Sequence, residues 1–478
     1  MSARPIAFED YVRHDATALA AGVRNGDFTP QELVETAIAR AEAVNPKINA
    51  VATALYDQGR AAAGQPLSGP FAGAPFVMKD LNQGLAGVRL TNGSVAFKDN
   101  VCPTDSESAR RYRAAGLVFI ATSTTPEFGL TFTTESALFG KTRNPWALDR
   151  IVGGSSGGAA ALTAAGVVPM AHATDGGGSI RIPASACGLF GLKVSRGRTP
   201  VGMGRTEGWS GLGVSHAVTR SVRDSAALLD ATHGPEAGSR YVAPPPHGTF
   251  LSALDRAPRK LKIAMQTRTW ADAPVHPECE AATLAAAKLC RDLGHEVEEA
   301  RPDIDVEALQ RALIVTLSAH TAATVAARAA ELGRDIGEDE LELVTRLMAK
   351  NGAKALALDL IAADVARMTA ANVMGAFLKD YDLILSPTLG LPPVELGVVS
   401  LDVDPRANAE IFAQVSPFAS VYNQTGQPAM SVPLHWSADG LPIGVMFAGR
   451  LGEEALLLSL AAQLEQANPW FQRRPALM

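Results

Sequence analysis

A β-sheet covered by α-helices is the fold class this sequence predicts, and three observations carry it. Strand-like apolar runs alternate with helix-like segments along most of the chain, which is the pattern of an α/β protein. The composition, 47% hydrophobic against 19% charged, supplies a large buried core. No internal repeat or long low-complexity segment breaks the pattern.

The elements follow in order. Thr29-Pro30-Gln31-Glu32 is a capping box with proline at the first helical position, so it opens a helix that continues through Leu33, Ala37, Ile38 and Ala41. Phe76, Val77 and Met78 read as a buried strand running into Lys79, and Leu117 to Ala121 reads as another. The stretch from Ile151 to Thr174 contains no Asp, Glu, Lys or Arg and is long enough to span a bilayer. Glycine and serine crowd its start and Pro169 and His172 interrupt it, so a buried core helix beginning after Gly158, over Ala159 to Ala165, is expected instead. A helix over Val222 to Leu229 follows, Pro244-Pro245-Pro246 marks a loop, and Leu261 to Met265 resumes the sheet. From Pro277 to Lys379 the chain is alanine-rich and mostly helical, and Leu383 to Thr388 returns to the sheet.

Charge and cysteine usage narrow the function classes. With 43 basic and 49 acidic residues the net charge is −6, and no basic cluster is present, so nucleic acid is not an expected partner. Cys102, Cys187, Cys279 and Cys290 lack paired metal-ligand spacing and read as buried thiols in a reducing cytosol. The nine histidines are scattered, which gives a metal site little support. Met1 to Asp10 lacks the apolar core of a signal peptide, so a cytoplasmic protein with no membrane attachment is expected.

The chemistry concentrates in two glycine-serine clusters, Gly153-Gly154-Ser155-Ser156-Gly157-Gly158 and Asp175-Gly176-Gly177-Gly178-Ser179-Ile180-Arg181. Consecutive backbone N–H groups can aim at one spot only where no side chain obstructs the turn, and such a nest stabilises an oxyanion. Each cluster sets a hydroxyl beside bare backbone, as in a serine hydrolase that lacks a catalytic histidine. One such cluster alone would more often be a flexible linker, but the second, followed by Ile182-Pro183, argues against that. Gly153 to Gly157 also fits the G-x-S-x-G nucleophile elbow. The elbow needs a hydrophobic strand just upstream, whereas Asn144 to Arg150 is broken by proline and charge, and only His435 downstream sits near a strand-like run.

Together with Gly73 to Asp80, Pro126-Glu127-Phe128-Gly129, Thr142 to Trp146, Gly188 to Lys193 and Tyr422 to Ala429, these clusters resemble the amidase signature hydrolases over nearly the whole chain. Motifs reaching from residue 73 to beyond 440 imply one large catalytic domain, 71–478, behind an N-terminal helical region, 1–70, packed on it. The resemblance implies the amidase-signature fold, a central mixed twisted sheet with helices on both faces. It also implies a Ser-Ser-Lys triad without a cofactor: Ser179 as nucleophile, Ser155 as bridging serine after a cis Gly154–Ser155 bond, and Lys79 as base. Gly176, Gly177 and Gly178 are the expected oxyanion donors, with Ser156, Thr174, Asp175 and Arg181 in support.

Elementary chemistry agrees with these roles. A serine hydroxyl is a weak nucleophile until a neighbour takes its proton, and a lysine can take it only when burial keeps the amine neutral. Ser155 would relay between the two and protonate the departing amine. Asp175 and Arg181 bracket the nucleophile loop and are candidates to pair and shape it. The family's motifs are silent over 277–379, so the substrate pocket is expected there. The wording Asp175 to Gly188 looks closer to the branch that includes cyclic-dimer hydrolases of 6-aminohexanoate than to the glutaminase subunit of the tRNA amidotransferase, which implies a linear or cyclic amide, anilide or carbamate substrate; a monomer or homodimer is expected. A glutamine-hydrolysing subunit of an amidotransferase is the alternative, and a non-catalytic binding protein is disfavoured by the presence of Lys79, Ser155 and Ser179 together.

Overall fold

A computed structural model describes residues 4–202 and 207–477, so the first three residues of the segment read for a signal peptide lie outside it. Among the described residues the main sheet has eight strands, in the order Glu296–Glu299, Lys262–Met265, Leu383–Pro387, Pro442–Ala448, Ala429–Trp436, Phe190–Lys193, Val214–Thr219 and Met170–Asp175. Lys262–Met265 pairs in parallel on both sides, and the rest of the ladder is antiparallel. A three-stranded sheet of Val51–Ala54, Val118–Ser123 and Pro75–Lys79 packs beside Met170–Asp175. The expected class is therefore the observed one, a large mixed sheet flanked by helices.

Local sequence explains most of these elements. Pro75–Lys79 and Val118–Ser123 pair in parallel and are buried at every residue, which is why they read as continuous apolar runs rather than alternating ones. In the helix Pro30–Ile48 both bonds of the capping box form: the Glu32 N–H donates to Thr29 Oγ1 at 3.2 Å and the Thr29 N–H to Glu32 Oε2 at 2.8 Å. Its buried face, Leu33, Val34, Ile38 and Ala41, shares a core with Ile120 and Leu162. That core continues into the helix Gly157–Ala164, which is buried on all sides. A Cβ on Gly157 would collide with the Thr134 hydroxyl and one on Gly158 with Thr124, so these two glycines allow close packing of the helix start.

Two readings need correction. Ala147–Ile151 does form a strand, paired with Arg143–Asn144. It is a ribbon outside the main sheet with Leu148 and Asp149 exposed, so it does not present Ser155 as an elbow would. Glu296–Glu299 is a strand inside the region read as mostly helical; at the sheet edge, parallel backbone pairing to Lys262–Met265 holds Glu-Val-Glu-Glu, helped by the Lys262–Glu298 ion pair, and no hydrophobic alternation announces it. As expected, Ile151 to Thr174 holds a buried helix, Gly157–Ala164; among the described residues, the helix long and apolar enough to cross a membrane, by length and composition, is Val306–Leu332. It packs against the helices Leu343–Gly352 and Ala357–Phe377.

Candidate active site

Lys79 ends its strand with the side chain fully buried, and three hydroxyls surround its amine. Nζ lies 2.8 Å from Ser155 Oγ, 2.8 Å from Ser156 Oγ and 2.9 Å from Thr174 Oγ1. Burial holds the amine well below the ordinary lysine range, and the charge of Asp175 opposes that shift. Ser156 stands at the start of the helix Gly157–Ala164 but makes no side-chain cap. Its hydroxyl donates to Thr174 O at 3.2 Å, which leaves its oxygen free to accept from Lys79. The Gly154–Ser155 peptide is cis, as the resemblance implies.

The nucleophile loop is shaped by a buried ion pair. Asp175 ends the last strand of the sheet, and Arg181 starts the short helix after the glycines. Their side chains are both 0% exposed and meet in bidentate fashion, Nε to Oδ2 and Nη2 to Oδ1, each at 3.0 Å. Burial by itself would raise the Asp175 carboxyl; the Arg181 guanidinium, with Lys193 and Asn423, overcomes it and holds the group ionised well below the usual range. The carboxylate also accepts from the Gly178 N–H at 2.7 Å and the Ile180 N–H at 3.1 Å, on either side of Ser179. Ser179 and Ser155 both border one cleft, together with Thr174 and Gly176.

The three glycines before Ser179 prove different from one another. Gly178 needs to be glycine: its φ is +137° and a Cβ would lie 2.6 Å from Ile182. Its N–H, expected as an oxyanion donor, is committed to Asp175 instead. A Cβ on Gly176 would meet the Trp209 ring at 2.6 Å, whereas one on Gly177 would meet nothing within 4 Å.

Three contributors escape sequence reasoning. His172 Nδ1 accepts from the Lys79 N–H at 3.2 Å and its Nε2 lies 3.0 Å from Ser215 Oγ, so the ring bridges neighbouring strands. Burial, with Lys79 and His216 nearby, lowers it to about 3, which keeps it neutral. Asn423 donates to Asp175 Oδ1 at 2.9 Å and accepts from Arg181 Nη2 at 2.6 Å; the motif Tyr422 to Ala429 contains it, but the motif alone gives it no role. Trp209 borders the cleft with Leu81, Asn82, Val201 and Val214. The walls thus come from residues 81–214, and the helical region 277–379, expected to build the pocket, supplies none of them among the described residues. The nearest local signal for Trp209 is an aromatic residue between glycines, Gly208-Trp209-Ser210-Gly211.

This fold and site define a class: the chain belongs to the Amidase family, whose model matches residues 32–458. It is an amidase, a hydrolase acting on amide C–N bonds. Among its relatives, the 6-aminohexanoate-cyclic-dimer hydrolase of Paenarthrobacter ureafaciens is 39% identical over 97% of this chain and 97% of its own. A solved structure of 6-aminohexanoate cyclic dimer hydrolase superposes with a TM-score of 0.92 at 36% identity, covering 98% of this chain and 99% of the other. A bacterial aryl acylamidase of the amidase signature family superposes with a TM-score of 0.87 at 29% identity, over 96% and 97% of the two chains.

Proposed function

We propose that this amidase cleaves an uncharged linear or cyclic amide, anilide or carbamate through an acyl-enzyme on Ser179, with Ser155 and Lys79 as proton relay. The observation that carries the reading is the wholly buried Lys79 amine 2.8 Å from Ser155 Oγ. A neutral amine has two N–H donors and one lone pair. Ser156 and Thr174 take the two donors, so the lone pair is left to accept from the Ser155 hydroxyl. Ser179 attacks the carbonyl carbon while Ser155 takes its proton and passes its own to Lys79. The N–H groups of Gly176 and Gly177 are the donors proposed for the oxyanion, Gly178 acting through Asp175 to fix the loop. When the C–N bond breaks, Ser155 protonates the departing amine; water then releases the acid by the same relay in reverse. The relay is complete without a metal or organic cofactor.

Two observations favour an uncharged substrate over glutamine. Asp175, the carboxylate at the cleft, is neutralised by Arg181, and Leu81, Val201, Trp209 and Val214 offer apolar surface. A relative at 39% identity and a solved structure at 36% are named for a cyclic amide. Fluorophosphonate labelling with peptide mapping, followed by turnover of aliphatic amides, anilides, carbamates, the 6-aminohexanoate cyclic dimer and glutamine, tests this. The expected adduct is on Ser179, and label on Ser155 instead would overturn the assignment.

A further inference from the structure

The turn that carries Trp209 is held in an unusual backbone state. Trp209 and Ser210 have φ values of +50° and +55°, and Gly211 follows at +82°. Successive left-handed residues with side chains persist only where surrounding contacts over-determine them, and such places cluster at functional sites. The contacts that hold this turn come from several segments. Gly208 and Gly213 close it, the Gly213 N–H donating to Gly208 O at 3.0 Å. Arg196 Nε donates to Gly211 O at 2.6 Å and Asn423 to Leu212 O at 3.1 Å, which ties the turn to the network around Asp175. A further tie comes from the helical region: Ser210 Oγ lies 3.0 Å from His320 Nε2, on the helix Val306–Leu332. The outcome is an indole laid against Gly176, three residues before Ser179, at the border of the cleft.

We propose that the Trp209 indole is the platform on which the non-reacting, uncharged part of the substrate lies beside Ser179, and that the Ser210–His320 hydrogen bond positions it. The proposal rests on the amidase reading of Ser179. A flat aromatic face next to the reacting hydroxyl suits a methylene chain or an aryl ring, since it offers area without charge and loses little freedom on contact. Gly176 is required because any side chain there would push the indole away from the loop. The helical region 277–379 then influences which substrates are accepted without lining the cleft itself, through His320. Trp209 is thus a binding residue, and Ser210 and His320 are positioning residues.

The test uses alkyl fluorophosphonates from ethyl to octyl on the full-length protein, measuring the rate constant for labelling Ser179. In the unaltered protein the octyl-to-ethyl ratio should reach at least about tenfold, a fraction of what burying six further methylenes provides. Trp209→Ala should flatten it to within about threefold, a loss of contact area rather than of chemistry; should that variant not fold, Trp209→Gln carries the same comparison. Ser210→Ala and His320→Ala should lower the ratio in the same direction, with His320→Gln, which keeps a donor, restoring most of it. An equal fall at every chain length, or an unchanged ratio in Trp209→Ala and Trp209→Gln, would overturn the platform. Absence of label on Ser179 in the unaltered protein would instead overturn the catalytic reading. The platform is then decided by fluorescence: N-butyloctanamide should shift the emission of the unaltered protein to shorter wavelength more than that of Trp209→Phe, and equal shifts sink it.

Discussion

At the scale of single residues, burial shifts Lys79 towards the unprotonated form that the proposed relay needs. In the proposed relay Lys79 acts only when unprotonated, and burial lowers its pKa in the direction that favours that state. Activity should therefore fall on the acid side with an apparent pKa below that of a free lysine, measured as kcat/KM against pH. Lys79→Arg should not rescue amide turnover, because a guanidinium stays protonated at any working pH. Ser155→Ala should slow amides by about 10²–10⁴-fold and activated esters less, since an ester leaving group needs less help from a proton donor. The glycines give a second comparison. Gly178→Ala forces a Cβ against Ile182 at a left-handed φ and should cost about 1–3 kcal/mol in urea unfolding. Gly177→Ala enters open space and should stay within about 0.5 kcal/mol of the parent. The candidate residues were legible because both serines stood in glycine-rich clusters and Lys79 in a stretch that resembles the family's, while the difference among the three glycines depends on what packs against each.

At the scale of elements, the strand ending in Asp175 and the helix starting at Arg181 are joined by charge. Asp175→Asn leaves the Arg181 guanidinium buried without its counter-ion, so a loss of about 3–5 kcal/mol is expected in denaturant unfolding. The helical region is pinned to the core by carboxylates. Glu342 accepts from the Ala137 N–H at 2.8 Å and its own N–H donates to Glu127 Oε2 at 2.9 Å. Burial, with the charges of Glu127 and Asp402, pushes the Glu342 carboxyl up to about 8. A carboxyl raised in the folded state binds its proton more tightly there than in the unfolded chain, so its contribution to stability is lost as pH rises from the ordinary carboxylate range towards 8. Glu342→Gln removes that dependence and keeps the acceptor. Its urea midpoint relative to the parent should climb between pH 5 and pH 8.5, and a constant offset would show that Glu342 is already ionised. Nothing in the sequence around Glu342 signalled this contact, because its partners, Glu127 and Ala137, lie more than two hundred positions away.

At the scale of the whole molecule, the two ends of the chain close on each other. Arg220 donates to Val12 O at 2.8 Å and to Phe471 O at 3.2 Å, while Trp470 Nε1–H donates to Arg220 O at 3.0 Å. Arg40 reaches Leu477 O at 2.7 Å and Arg474 reaches Val12 O at 3.0 Å. Trp470 is buried in the core that also holds Leu434 and Leu464. Trp470→Ala should cost about 3–5 kcal/mol, the usual range for emptying a large aromatic site, read as a lower midpoint in urea. A loss below about 1 kcal/mol would mean that the C-terminal segment is peripheral.

What the sequence by itself determined is the amidase class and several local frames: the capped helix at Thr29, the buried strand into Lys79, the glycine-serine clusters around Ser155 and Ser179, and the α/β class. Such features depend on residue type and short-range spacing, which the chain carries in order. Only the tertiary structure decided that burial lowers the Lys79 pKa, that Gly178 spends its N–H on Asp175, that His172 is a strand bridge, and that Trp209 borders the cleft. Each of these rests on burial or contact between distant segments, as with the 76 positions between Lys79 and Ser155. A pKa, a free donor and a wall are properties of surroundings, and surroundings exist only once the chain has packed.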